Sequence, residues 1–116
     1  MMAAKQVEAY IEEGNSPPSS LTVTINGRRE EFRTVALALT FIHAAYSPPM
    51  PRIINKTPRT LHLPPRIILS SPELQEAYLR GRKIKAQREG KKFDAASFLP
   101  DLSFLVIGFS FSGETS

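Results

Sequence analysis

From Leu21 to Ile25 the chain alternates Leu, Thr, Val, Thr, Ile, the period of two that turns one face of a β-strand toward a core. Asn26-Gly27 follows directly. That dipeptide tolerates positive φ at both central positions of a tight turn, so Arg28–Phe32 is the expected partner strand of a hairpin over 21–32. Thr34 can then cap a helix over 34–46, in which Val35, Leu39, Ile42 and Tyr46 recur at helical spacing. Its near-absence of charge predicts burial on most sides, either as the central core helix or within an interface. A rival register starts this helix at Arg28 and leaves Leu21–Ile25 to pair elsewhere.

Before the hairpin, Ala3, Val7, Tyr10 and Ile11 fall at i, i+4, i+7 and i+8, and Glu8, Glu12 and Glu13 take the other side. This predicts a short amphipathic helix over 3–13. Gly14 and the run Asn15-Ser16-Pro17-Pro18-Ser19-Ser20 end it, so residues 1–20 are expected as an N-terminal helical arm and linker ahead of a single domain over 21–112, with 113–116 a tail.

The second half opens on residues 47–66, which hold six of the chain's ten prolines and four basic residues without an acid. Proline removes a backbone donor and pushes its predecessor toward extended conformations. An extended loop is expected, with at most a short edge strand at Ile67-Ile68-Leu69. Ser70-Ser71-Pro72-Glu73 then starts the clearest helix, over 72–89, packing through Leu74, Ala77, Tyr78, Gly81 and Ile84 and ending at Gly90. Residues 102–112 read as a long strand with Phe104 and Val106 on one face and Leu105, Ile107, Phe109 and Phe111 on the other. Apolar residues on both faces predict a central strand. The fold class is α+β: a small, mainly antiparallel sheet, formed by the hairpin and this strand, covered by helices 34–46 and 72–89.

The chain's 116 residues suit one domain, and 41% hydrophobic with 22% charged residues excludes wholesale disorder. There is no cysteine, hence no disulfide framework, thiolate nucleophile or Cys-based zinc site. The apolar stretch Val35–Ala45 is broken by Thr40 and His43 and is far shorter than the roughly 20 residues that cross a bilayer. The N-terminus turns acidic without the apolar core of a signal peptide, so the protein is expected inside the cell, in the cytoplasm or after import in the nucleus.

Charge changes the picture. The formal net charge is +4, but Arg52–Lys92 carries eleven basic residues against three acidic ones, a surplus of eight that leaves the remainder four negative. Such asymmetry is the footprint of a surface that meets an anionic polymer. Arg80, Arg82, Lys83, Lys85, Arg88, Lys91 and Lys92 are the leading anion-binding candidates, with Arg59 and Arg66 of the loop in support. RNA or a nucleoprotein is the expected partner, bound through phosphates in a salt-dependent way. The same stretch suits an importin or anionic lipid headgroups.

The alternative is a protein–protein adaptor or a viral accessory or matrix-like protein that engages a host or virion partner through the proline-rich loop and the apolar helix 34–46, with the basic patch contacting membrane or acting in nuclear import. Pro48, Pro49, Pro51 and Arg52 form a Pro-x-x-Pro element beside an arginine, a shape that aromatic grooves bind, and Tyr10 and Ile11 of the N-terminal arm offer a second partner surface, including one for self-association.

Chemistry finds little purchase. His43 and His62 lack a second ligand at metal spacing. Gly108-Phe109-Ser110-Phe111-Ser112 starts like a nucleophile elbow, but the closing glycine is displaced to Gly113. Glu12/Glu13 and Glu30/Glu31 read as surface charges. No enzyme activity, metal or cofactor is expected.

The run Leu21-Thr22-Val23-Thr24-Ile25-Asn26-Gly27, then Phe32-Arg33-Thr34 and an apolar helix ending at Tyr46-Ser47, resembles the strand-then-helix opening of the rhabdovirus matrix protein core. It equally resembles the opening of a β-grasp domain. The first likeness implies a basic, self-associating protein that bridges nucleocapsid and membrane. The chain is shorter than that family and its N-terminus lacks the family's Pro-Pro-x-Tyr motif, so neither family is assigned.

Overall fold

A computed structural model describes residues 7–14, 20–46, 50–97 and 99–109. Strands β1 (Glu8–Glu13), β2 (Leu21–Ile25) and β3 (Arg28–Phe32) are followed by helix α1 (Val35–Tyr46), strand β4 (Arg52–Asn55), strand β5 (Arg66–Ile68), helix α2 (Pro72–Arg88), two 3-10 turns (Ala95–Ser97 and Leu99–Phe104) and strand β6 (Val106–Gly108). The main sheet has the order β3-β2-β1-β4, and β5 and β6 make a separate antiparallel ribbon. The fold class is α+β, as the patterning predicts.

The hairpin forms in the expected register, with Ile25 opposite Arg28 and Leu21 opposite Phe32. Asn26 and Gly27 take φ of 51° and 81°, the paired left-handed turn that this dipeptide admits. Thr34 caps α1, its hydroxyl accepting from the Leu37 amide at 3.2 Å.

Residues 8–13 are a strand, where the sequence predicts a helical arm. β1 lies inside the sheet, antiparallel to β2 and parallel to β4. Ala9 and Ile11 are fully buried, so Val7-Glu8-Ala9-Tyr10-Ile11-Glu12 obeys a period of two as well as the helical one. Neighbours on both sides supply backbone partners, and that decides between the periods. The part of the predicted arm over residues 1–6, and the linker 15–19, lie outside the described residues.

The proline-rich segment is likewise less irregular than expected. β4 pairs along β1, placing Ile53 opposite Ala9, and Arg52 donates its amide to the Val7 carbonyl at 2.9 Å. Its prolines flank the strand instead of interrupting it, as an edge position requires.

The long central strand expected over 102–112 is not formed. Leu99–Phe104 is a 3-10 turn, β6 has three residues, and its partner is β5, outside the main sheet; residues 110–112 lie outside the described residues. The alternation of faces does hold. Ile107 is buried with Leu105 and Phe109 packed against the core, while Val106 and Phe104 point away, 49% and 81% exposed.

α1 is the centre of the molecule, resolving its two sequence options in favour of the core. Leu37 through Ile42, Ala44 and Ala45 are buried. One cluster joins them to Ala9, Ile11, Val23, Ile25 and Ile53 of the sheet, Ala77 of α2, and Ile67, Leu69, Leu102 and Ile107 around the ribbon.

Candidate anion-binding cleft

Two stripes run along α2. Ala77 and Gly81 are its buried residues and face α1. A Cβ at position 81 would lie 2.6 Å from Ala44 Cβ, 2.7 Å from the Phe41 carbonyl oxygen and 2.9 Å from the Ala45 nitrogen. Gly81 therefore sets how closely the helices cross, and Arg80-Gly81-Arg82 is a packing feature as well as a basic one.

The cations flanking this crossing serve the fold. Arg80 pairs with Glu30 of β3 and sits over the rings of Phe32 and Phe41, 5.8 and 5.6 Å from their centroids. Glu30 also pairs with Arg28 at 3.2 Å, and its side chain is only 15% exposed. It stands on the helix-facing side of the sheet, opposite Val23, so it is a partnered, largely covered group and not the surface charge that the sequence predicts. Arg88 donates to the Ala45 carbonyl at 2.7 Å and stacks 4.9 Å from the Tyr46 centroid, closing the end of α1. Arg59 is held away from α2 by Glu13, which accepts its Nε and Nη2 at 3.2 Å each. Arg66 is exposed on β5. These four candidates are thus not brought into one site.

The second stripe does converge. Ser71 caps the start of α2, its hydroxyl accepting from the Leu74 amide at 3.2 Å. At the other end Gly90 adopts φ of 71°; its amide donates to the Gln87 carbonyl at 3.2 Å and that of Lys91 to the Ala86 carbonyl at 2.8 Å. This paired closure is a Schellman cap, and it turns the chain back along the last turns of the helix. Between helix and returning chain lies a cleft of about 210 Å³ lined by Arg82, Lys85, Ala86, Glu89, Lys91, Lys92, Phe93 and Asp94. Lys83 is exposed on α2. Lys91 also reaches Glu89 at 3.5 Å in an exposed pair. Asp94 is oriented by accepting the Ala96 amide at 3.1 Å. Of the sequence candidates, Arg82, Lys85, Lys91 and Lys92 gather here, and Lys83 does not line the cleft. Phe93 and Asp94 are the lining residues that charge counting over Arg52–Lys92 passes over. The signal for them is Gly90, since a left-handed cap folds whatever follows back onto the helix.

His43 lies against this end of the molecule. Its ring meets Phe109 edge-on at 5.5 Å and its Nδ1 is buried without a hydrogen-bond partner. Burial, and after it the charges of Lys85 and Arg82, hold it below the ordinary imidazole value. His62 is exposed in the loop.

The proposed partner surfaces fare differently. Ile11 is fully buried and cannot meet a partner from an arm. Tyr10 lies on the outer face of the sheet, donating to Glu8 at 2.5 Å with Lys56 5.4 Å from its ring centroid; the hydrogen bond to Glu8, with burial and that carboxylate's charge, raises its pKa. Pro51 is buried and Arg52 belongs to β4, so this end of the Pro-x-x-Pro element is part of the sheet edge and not a free polyproline ligand. Pro48 and Pro49 lie outside the described residues. Among the described residues no three of His, Asp and Glu are grouped to hold a metal ion, and no helix is long and apolar enough to cross a membrane. No family model, curated protein or solved structure matches the chain.

Proposed function

We propose that this protein is a non-enzymatic structural or assembly component that binds RNA or a nucleoprotein through the cleft at the C-terminal end of α2. The observation that carries the reading is the convergence of Arg82, Lys85, Lys91 and Lys92 on one cleft, within a segment that carries a surplus of eight positive charges. Neutralising several phosphates at once releases counterions, giving an affinity that falls steeply with salt. Such a role places the protein inside the cell, in the cytoplasm or the nucleus.

The test is binding of a labelled single-stranded oligonucleotide across a salt series. Lys83, Lys91 and Lys92 are exposed, so replacing all three with Glu reverses charge without removing a packing contact. The affinity is expected to fall at least about tenfold and the salt slope to flatten, since each phosphate contact contributes about one unit of slope. Unchanged affinity would overturn the reading. Arg88 is unsuited to this test because it also holds α1.

A second reading, docking on a protein partner, is favoured by the ribbon. Ile68 and Val106 are cross-strand neighbours 55% and 49% exposed, a paired apolar surface. Under it, replacing both with Thr would abolish an interaction while leaving oligonucleotide binding intact.

A further inference from the structure

Resting on the nucleic-acid reading of the same cleft, we infer that it takes an unpaired nucleobase stacked on Phe93, so that the ligand is single-stranded and not a duplex or a bare anionic surface. The cleft is not uniformly cationic. Glu89 and Asp94 share its lining with Arg82, Lys85, Lys91 and Lys92. Beside these two carboxylates a phosphate or lipid headgroup gains less than it does beside the cations alone. A base is neutral, and its amino and imino groups donate hydrogen bonds that carboxylates accept. Phe93, half-buried in the same lining, supplies the apolar platform. The cations on either side take the flanking phosphates, the combination of charged groove and aromatic ring that single strands require. Bases inside a duplex are already stacked and cannot reach such a ring.

The arrangement follows from the cap. Lys91, Lys92 and Phe93 are consecutive, and the left-handed Gly90 brings all three back beside Arg82 and Lys85 of α2 and Glu89 at its C-cap. In the linear sequence Phe93 stands at the edge of the basic run; in the fold it is inside the basic cleft.

The experiment compares an oligocytidine strand, an abasic strand of equal length and a cytidine–guanosine duplex, each fluorescently labelled, by anisotropy on the full-length protein and on Phe93→Ala. Oligocytidine is expected to bind more tightly than the other two. Phe93→Ala should weaken oligocytidine between about fivefold and a hundredfold, the range one base stacked on one ring supplies, and leave the abasic strand unchanged. Phe93→Tyr should retain the preference. In the unaltered protein, oligocytidine and not the abasic strand should move the Phe93 ring-proton resonances, a readout independent of the variants' folding. If all three ligands bind alike and Phe93→Ala is neutral, base recognition is wrong while the phosphate reading stands. If none binds, or only phosphatidylserine vesicles do, both fall.

Discussion

The two stripes of α2 are built from the same residue types and do different things. On the side of α1 and β3, Arg80 and Arg88 lie over aromatic rings with an acid or a carbonyl waiting across from them, and Gly81 between them lets the helices touch. Around the cleft, Arg82, Lys85, Lys91 and Lys92 share one lining with Glu89 and Asp94. A guanidinium over a ring and beside an acceptor is stabilising in place. Several cations converging on one cleft are mutually repulsive, and an anion relieves that repulsion. Counting charge along a helix therefore overstates a binding site until each cation's neighbours are known.

The hardest blow to this distinction is Gly81→Val. The contacts around position 81 are backbone and a helix-borne Cβ, none of which can swing aside, so the helices must separate. A loss of about 3 kcal/mol is expected in denaturant unfolding, at the upper end of ordinary overpacking. Gly81→Ala should still lose stability although alanine is the better helix former by about 1 kcal/mol. A stabilised Gly81→Ala would refute the close crossing.

Arg80→Ala comes next. It removes a partly exposed ion pair and two cation–ring contacts, worth together about 1–2 kcal/mol, and should leave oligonucleotide affinity unchanged. A fall in affinity without a fall in stability would move Arg80 from the fold to the site. Gly90→Ala should cost about 1 kcal/mol through its left-handed backbone, with open space around the added methyl. It should also weaken oligonucleotide binding, because the cap returns Lys91–Phe93 to the cleft, and Gly90→Asn, which tolerates the same φ, should restore both.

The smallest effect belongs to His43. Its folded-state pKa lies below the unfolded value near 6.5, so the unfolded chain binds the proton more readily and stability rises with pH. The contribution is complete above about pH 6.5 and is lost as pH falls from there through the folded-state value. Unfolding titrations across this window should show that slope in the native protein and a flatter one in His43→Phe. Since Lys85 and Arg82 contribute to the shift, oligonucleotide binding should raise the His43 pKa, seen by proton NMR; an unmoved resonance would separate His43 from the cleft.

Some of this was legible beforehand. The hairpin, both long helices and the inward and outward faces of residues 104–109 follow from short-range patterns. The basic stretch and its location on the second helix follow from composition. Residues 8–13 did not, because Val7, Ala9 and Ile11 satisfy a strand while Val7, Tyr10 and Ile11 satisfy a helix, and only β2 and β4 on either side decide. β4 was hidden by its prolines. Apolar Phe104 and Val106 predict a buried outer face for the ribbon, yet no layer covers it among the described residues. Tyr78 and Phe93 alone interleave thinly with the basic residues along the chain, and only the Gly90 turn brings Phe93 into the cleft.

What the amino-acid sequence determined by itself is what a few adjacent residues can enforce. Asn26-Gly27 makes the turn, Thr34 and Ser71 start the helices, and Gly90 ends the second one, each through backbone geometry or a hydrogen bond within a handful of positions. The tertiary structure decided the rest: that residues 8–13 become an inner strand, that Glu30 is covered, and that Arg59, Arg80 and Arg88 hold the fold while Arg82, Lys85, Lys91 and Lys92 surround a cleft. A cation's role depends on the acid, ring or carbonyl opposite it, and here those partners lie tens of residues away in the chain.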